Sequence, residues 1–541
     1  MSASNDRRKR AEARVAGTDR KTNMSAEEIK KQKKSKFNWT FGSIVVGLLI
    51  AAIIILNTNL FYTGTTAVQI GDQSYNTAQF SYYYKTQYYN FVQNYGSYAS
   101  MLGLDTSSPL KKQTCSMLSD GGSWYDYFKQ QALSMMEQVT AMSDYAKKNN
   151  ITLTSDEEAE IDTEMQSYAT SASSNKNYST TSAYLSALFG RGCDEALVRG
   201  ELERTALARK AYTTVSDSYT FTDAELEKEY QTKKDDFDTF DYTYYMVEAK
   251  QVATAASTAT DTTATNTTAT DTTAQTAVTA ETMAEAKATA DKIAAAVKSG
   301  EAAQALSFDE AVKEITGSQD NSATAQTGIS GSSITGDYAE WLKDASRKAG
   351  DITVVESADT GYWVVQFNGR DDNHYQMAQV RHILIKAEAS SDGTYTDEAK
   401  ATAKAKAQKI YDEWLAGDKT EDSFAALAKQ YSEDTGSASN GGLYDSIYKG
   451  ETVEEFNNFC FASGRKTGDT GIVYGEAAAS SSSDSGYAGY HIIYYVGLGD
   501  LYSNYLAKNQ LVSDKISAWQ TDLLKGYTAT TKFPIRFASS T

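Results

Sequence analysis

The sequence predicts an α+β protein assembled from a membrane-spanning helix, a mostly helical region and two related mixed domains. Three observations predict this. The chain has 541 residues, more than one hydrophobic core usually organises. It carries no charged side chain between Lys36 and Asp72, and a strand and helix pattern that begins near residue 241 recurs from residue 378.

Residues 1–36 form a basic tail, with 12 Lys and Arg against 5 Asp and Glu. Phe41 to Leu56 is almost wholly apolar, with Trp39 before it and Phe61-Tyr62 after it. Such a stretch crosses a hydrocarbon layer of ~30 Å as one helix. We place the span at 37–62 and read it as an uncleaved signal anchor, because no Ala-x-Ala site follows the apolar run. The basic flank stays cytoplasmic. The expectation is a single-pass protein of the cell membrane, its N-terminus cytoplasmic and its bulk extracytoplasmic.

Residues 66–240 read as a helical domain opened by a short strand, Ala67-Val68-Gln69-Ile70, and the turn Gly71-Asp72. Thr154-x-x-Glu157 and Thr222-x-x-Glu225 are capping boxes, in which each Thr oxygen and Glu carboxylate satisfy free backbone N–H groups. The tyrosines of this region, Tyr82-Tyr83-Tyr84 and Tyr88-Tyr89, are expected to be core; their apolar rings with polar tips would also suit a groove for unfolded chains.

Residues 241–370 and 378–498 follow one pattern. In the second, Ile410-x3-Trp414-x2-Gly417 ends a helix, Ser423-Phe424 opens the next and Gly489-Tyr490-His491-Ile492-Ile493 closes the segment. In the first, Ile293-x3-Val297-x2-Gly300, Ser307-Phe308 and Gly361-Tyr362-Trp363-Val364-Val365 stand in the same order. An Ala/Thr-rich stretch at 251–280 interrupts the first copy and a Ser-rich one, Ala477 to Asp484, the second; neither can build a core. The tail, 499–541, presents Leu511, Ile516, Trp519 and Leu523 at helical spacing. With nothing local to cover that stripe, it is expected to pack on the 66–240 domain.

The net charge of −18 argues against a nucleic-acid partner. Cys115, Cys193 and Cys460 are scattered, and the three histidines lack second ligands at metal-binding spacing, so no metal and no cofactor is expected.

Two of those histidines carry the chemistry. His382 lies in Val380-Arg381-His382-Ile383-Leu384-Ile385 and His491 in the closing strand. A histidine among such residues is costly unless its ring nitrogens find partners. First and last strands lying side by side would let the two satisfy each other. Between them stand an amphipathic helix, the turn Tyr431-Ser432-Glu433-Asp434 and the turn Asn440-Gly441-Gly442.

In this order of motifs the segment resembles the parvulin family of peptidyl-prolyl cis-trans isomerases. The resemblance implies that His382 and His491 form the central pair and that Asp434 lies beside the substrate carbonyl. It further implies that Leu443 and Phe456 hold the proline ring, that Asn440 belongs to the turn feeding that wall, and that Thr452 stands where the family carries methionine. The first copy would then be a degenerate parvulin-like domain without activity, because Trp363 and a tyrosine near Tyr244 replace the histidines. The whole layout resembles the extracytoplasmic foldases of the PrsA, SurA and PpiD type. That implies unfolded or secreted client polypeptides with X-Pro bonds as partners, and a SurA-like chaperone fold for the helical domain. A non-enzymatic holdase built on inactive parvulin folds is the alternative. Glu388, Asp392, Asp397 and Glu398 after Lys386 disfavour phosphorylated substrates, which need a basic cluster there.

Overall fold

The computed structural model describes residues 43–50, 58–96, 98–253, 276–298, 306–390, 393–477 and 486–538. The basic tail, most of the expected span, most of the Ala/Thr stretch and most of the Ser-rich one lie outside them. Residues 43–50 are helical, and Ile44, Val46, Leu48 and Leu49 are exposed there. Among the described residues no helix is long and apolar enough to cross a membrane. The chain divides into two compact units, Met1–Thr220 with Asp514–Thr541, and Phe221–Ser513.

The first unit opens with strands β1 (Thr66–Ile70) and β2 (Gln73–Asn76), joined by the positive-φ Gly71. Helices α1 (Thr77–Tyr95), α2 (Trp124–Lys148), α3 (Ser155–Ser174), α4 (Thr181–Phe189) and α5 (Glu195–Ser218) follow. Their starts are written in the sequence. Asn76 and Gln79, Ser123 and Asp126, and Thr154 and Glu157 form reciprocal capping boxes, each worth ~1 kcal/mol. Tyr82, Tyr83, Tyr84 and Tyr88 are buried in the core with Phe80, Trp124 and Phe128. The carboxylate of buried Glu201 is held by Gln79 (2.6 Å) and the Tyr83 hydroxyl (2.8 Å), as a charge away from water requires.

The second unit begins with α6 (Asp223–Thr232), started by the Thr222–Glu225 box, and then holds two four-stranded antiparallel sheets. The upstream sheet contains β3 (Thr239–Glu248), β4 (Thr324–Ser330), β5 (Ile352–Ser357) and β6 (Gly361–Asp371), in the order β4-β3-β6-β5. Helices α7 (Ala280–Lys298) and α8 (Phe308–Thr316) cover one face and the short α9 (Ala339–Lys343) the other.

The downstream sheet contains β7 (Gln376–Lys386), β8 (Leu443–Ile447), β9 (Thr470–Ala477) and β10 (Tyr487–Leu501), in the order β8-β7-β10-β9. Here α10 (Asp397–Ala416) and α11 (Glu421–Tyr431) cover one face and α12 (Glu454–Phe461) the other. Element order and strand order thus match between the sheets. One detail of the repeat shifts: Ser307 caps α8, whereas α11 is capped by Thr420, three residues ahead of Ser423.

Period-two alternation fixes what each face sees. Ile383, Ile385, Ile492 and Tyr494 turn toward α10 and α11 with Trp414 and Phe424. Val380, Ile493 and Tyr495 turn the other way, with Ile447, Phe456 and Phe459. His382 and His491, in step with this second set, share its face.

The last helix, α13 (Tyr502–Leu524), places Leu511 against Leu226 and Tyr230. In the first unit, Trp519 meets Tyr145 edge-on at 5.2 Å, and Leu523 packs on the same core. Beyond it β11 (Ala529–Thr531) adds to the first sheet, with Val68 opposite Thr531 and Ile70 opposite Ala529.

Candidate functional site

β7 and β10 are the two central strands of the downstream sheet. His382 stands opposite Ile493 and His491 opposite Leu384, so the histidines are diagonal neighbours on one face, within reach of each other. Both are buried, at 4% and 5% exposure. Their Nδ1 atoms lie 3.2 Å apart and their rings are near-parallel, 5.4 Å between centroids.

The other nitrogen of each ring is also occupied. His382 Nε2 lies 2.9 Å from Asp434 Oδ2, and His491 Nε2 lies 3.0 Å from the Tyr487 hydroxyl. Asp434 Oδ2 further accepts from the Ser437 hydroxyl and from the Tyr444 hydroxyl (3.2 Å), while Oδ1 accepts from Gly436 N–H (3.2 Å).

The turn carrying Asp434 is tied to β7. Glu433 N–H donates to the Leu384 carbonyl (2.8 Å) and Leu384 N–H to the Ser432 hydroxyl (3.2 Å). The Asn440-Gly441-Gly442 turn fixes the same strand from the other side, because His382 N–H donates to the Gly442 carbonyl (2.8 Å). Only glycine fits at 442: φ is +71°, and a Cβ there would stand 2.1 Å from the His382 carbonyl oxygen.

The electrostatics follow from this wiring. The hydrogen bond from His382 holds Asp434 well below the usual carboxylate range, against the opposing effect of burial. Burial first, and His382 second, push His491 down to about 3, so its ring is neutral at ordinary pH. Burial and then the Asp434 charge push the Tyr444 phenol up to about 12 and raise that of Tyr487. The site therefore contains an ionised carboxylate at one end and neutral phenols at its rim.

A cavity of about 400 Å³ opens over the pair, lined by His382, His491, Tyr444, Tyr487, Ile447, Glu451, Thr452, Val453, Phe456 and Ala477. Phe456 presents its ring edge-on to both histidines, at 5.5 and 5.1 Å between centroids. The Thr452 hydroxyl is buried and has no hydrogen-bond partner among the described residues.

Of the residues singled out from sequence, His382, His491, Phe456 and Thr452 meet at this cavity, and Asp434 joins them from behind His382. Leu443 and Asn440 do not line it. Leu443 pairs opposite Arg381, on the face that α10 and α11 cover, so alternation turns the next residue, Tyr444, toward the histidines. Asn440 sits in an exposed turn where its carbonyl accepts from the Arg381 guanidinium (3.0 Å).

Tyr487, Tyr444 and Ser437 were not foreseen. The signal for Tyr487 was its position four residues before His491, on the same face of one strand. Among the described residues no cluster of His, Cys, Asp and Glu could hold a metal ion, and the three cysteines are buried and free.

The upstream sheet repeats the register with other side chains. Tyr244 stands opposite Val365 and Trp363 opposite Met246, the places held downstream by His382 opposite Ile493 and His491 opposite Leu384. The Tyr244 and Trp363 rings meet edge-on at 5.5 Å, and Tyr338 packs against both.

Comparison with known proteins agrees with this geometry. A family profile described as the PPIC-type PPIASE domain matches residues 368–478. The chaperone SurA of Pseudomonas fluorescens (strain Pf0-1) is 36% identical over 115 residues, 21% of this chain and 24% of that protein. Foldase protein PrsA 3 of Bacillus anthracis is 37% identical over 90 residues, 17% of this chain and 25% of that one. The chain thus spans about a quarter of the length of these relatives. Among solved structures, the peptidylprolyl isomerase PrsA of Bacillus cereus aligns at 26% identity over 28% of this chain and 49% of the other, with a TM-score of 0.17. Residues 368–478, which include His382 and end before His491, thus match a PPIC-type peptidyl-prolyl isomerase domain, and the chain is similar over part of its length to the foldases SurA and PrsA.

Proposed function

We propose that this protein is a membrane-anchored extracytoplasmic foldase that catalyses cis-trans isomerisation of X-Pro bonds and assists the folding of secreted polypeptides. The observation that carries the reading is the chain of hydrogen bonds through Asp434, His382 and His491 at the wall of a largely apolar cavity.

Rotation about the bond must break amide resonance, a barrier of ~18–20 kcal/mol. A catalyst needs neither nucleophile nor metal for this. It needs an apolar slot for the proline ring, a dry site and an electrostatic environment that disfavours the planar amide, and each 1.36 kcal/mol gained is about tenfold in rate. Phe456, Ile447 and Val453 offer the slot, and the neutral His491 ring brings no competing charge into it. His382, Asp434 and His491 organise the catalytic site through their linked hydrogen bonds; Phe456 and Thr452 contact the substrate.

The anchor is inferred from the charge-free apolar run within 37–62, its basic flank, and the exposed apolar side chains of 43–50. We read residues 241–370 as a diverged copy of the isomerase domain that binds without catalysing, since Trp363 and Tyr244 offer rings where the site needs linked imidazoles. The composite of 66–240 with the tail is the chaperone part.

The test is isomerisation of a short Xaa-Pro peptide, followed by NMR line exchange. The full chain should accelerate it and His491→Gln should not. A wild-type protein that suppresses client aggregation without accelerating the peptide is a holdase, and the isomerase reading fails. Fractionation with membranes and susceptibility to protease from the outside test the anchor and its orientation.

A further inference from the structure

All four ring nitrogens of the histidine pair are engaged within the protein: with each other, with Asp434 and with Tyr487. Neither ring has a nitrogen left for a substrate amide. Asp434 is saturated by His382, Ser437, Tyr444 and Gly436, and it does not line the cavity. The Tyr444 proton is committed to that carboxylate. What remains is Tyr487, at the far end of the network, whose hydroxyl has one partner among the described residues, His491 Nε2, and whose side chain lines the cavity.

We propose that Tyr487 is a catalytic residue: its phenolic oxygen, polarised through His491 and His382 by Asp434, contacts the X-Pro amide and destabilises its planar form. The proposal rests on the isomerase reading above.

With Asp434 ionised, one arrangement puts a single proton in every link and leaves both rings neutral. Tyr487 O–H donates to His491 Nε2, His491 Nδ1–H to His382 Nδ1, and His382 Nε2–H to the carboxylate. The carboxylate draws on the first proton, which makes the next nitrogen a better acceptor, and so on outward; such chains strengthen each bond in turn. The result is extra negative charge on the Tyr487 oxygen, with no proton transferred and no bond broken.

Donating its one proton to His491 leaves that oxygen its lone pairs as acceptors, on a side chain that lines the cavity. A planar amide owes its stiffness to the resonance form with negative charge on the carbonyl oxygen. A second electron-rich oxygen beside that carbonyl raises the planar form more than the twisted one, and the more a bound substrate displaces water from between them, the less the effect is screened. The same network ending in a donor would do the opposite.

The experiment compares the full chain with its Tyr487→Phe variant on an Xaa-Pro peptide, and follows 15N-histidine-labelled protein by NMR, where three histidines in the sequence give a readable spectrum. The expected result is a fall in kcat of roughly tenfold or more, with KM within twofold and the His491 Nδ1 proton signal retained. A variant with kcat within twofold of wild type overturns the proposal. So does a fall in kcat accompanied by loss of the Nδ1 signal, which would make Tyr487 a support for the ring rather than a contact to the amide. A wild-type chain without activity sinks the isomerase reading itself, a result distinct from either.

Discussion

Trp363 holds in the upstream sheet the register position that His491 holds downstream. Each lies diagonally from the residue that completes its pair, Tyr244 or His382, on the face away from the two longer helices. The ring separations are also alike, 5.5 Å for Tyr244 and Trp363 and 5.4 Å for the histidines. The frame is repeated and the linked nitrogens are not.

All isomerase activity should therefore reside in the downstream domain. In the full chain, His491→Gln should reduce peptide isomerisation to the uncatalysed rate, because the upstream rings have no polar relay. Residual acceleration in that variant, abolished by Trp363→Ala, would show that the upstream copy is active.

Acid should weaken the downstream domain. His491 is pushed from its ordinary 6.5 down to about 3, and Asp434 is held below its ordinary 3.8. The unfolded chain binds more protons than the folded one across this range, so stability rises with pH. The contribution of both groups is complete above pH 6.5. It declines first through His491 and, below pH 3.8, through Asp434 as well. Urea midpoints read from Trp414 fluorescence should fall steadily as pH drops from 6.5 toward 3, and more steeply than in His491→Asn. A wild-type midpoint flat over that interval would contradict the assignment of a neutral, buried ring.

Much of this site was legible in the sequence. A polar ring within Val-Arg-His-Ile-Leu-Ile has to be paired, and the matching histidine in the last strand identified the partner. The capping boxes at Thr154 and Thr222 marked two helix starts correctly, because a cap depends on four consecutive residues. Leu443 was misjudged as a cavity residue because the face a strand residue occupies depends on register, and one step turns it to the other side. Tyr487 was missed for another reason: with 37 tyrosines in the chain, no single one stands out until its hydroxyl is seen against His491.

Gly442→Ala should cost the downstream domain about 2–4 kcal/mol, combining the strain of a positive φ with a backbone clash. Gly450→Ala is the control. Its φ is +85° with nothing within 4 Å of the added Cβ, whereas at Gly442 the His382 carbonyl oxygen lies at 2.1 Å. The two variants share the φ penalty, so the difference in their denaturation midpoints isolates the clash. Equal midpoints would show that β7 and the Gly442 turn are not in close contact.

Removing residues 525–541 should destabilise the first unit. The deletion takes away β11, which pairs with β1, and Ile535 and Ala538, which are buried in its core. Burial of an Ile side chain alone contributes ~1.5–3 kcal/mol. Unfolding followed at Trp124 should shift to lower denaturant while the Trp414 signal stays put. An unshifted Trp124 transition would show that the tail contributes nothing to that core.

Folding of the second unit should not depend on prolyl isomerisation. The chain contains two prolines, Pro109 and Pro534, and both belong to the first unit. Phe221–Ser513, which holds both sheets and the histidine pair, has none. In an unfolded chain each X-Pro bond is ~10–30% cis and relaxes over tens of seconds or more, a delay that limits folding. Refolding of the second unit, read from Trp414 in the downstream core, should lack such a phase and be insensitive to added prolyl isomerase. A slow phase at Trp124, in the unit with both prolines, should be accelerated by it and disappear in the Pro109→Ala, Pro534→Ala double variant. A proline-limited phase at Trp414 would mean that folding of the catalytic sheet waits on the first unit. The site would then mature only after the unit that holds both prolines.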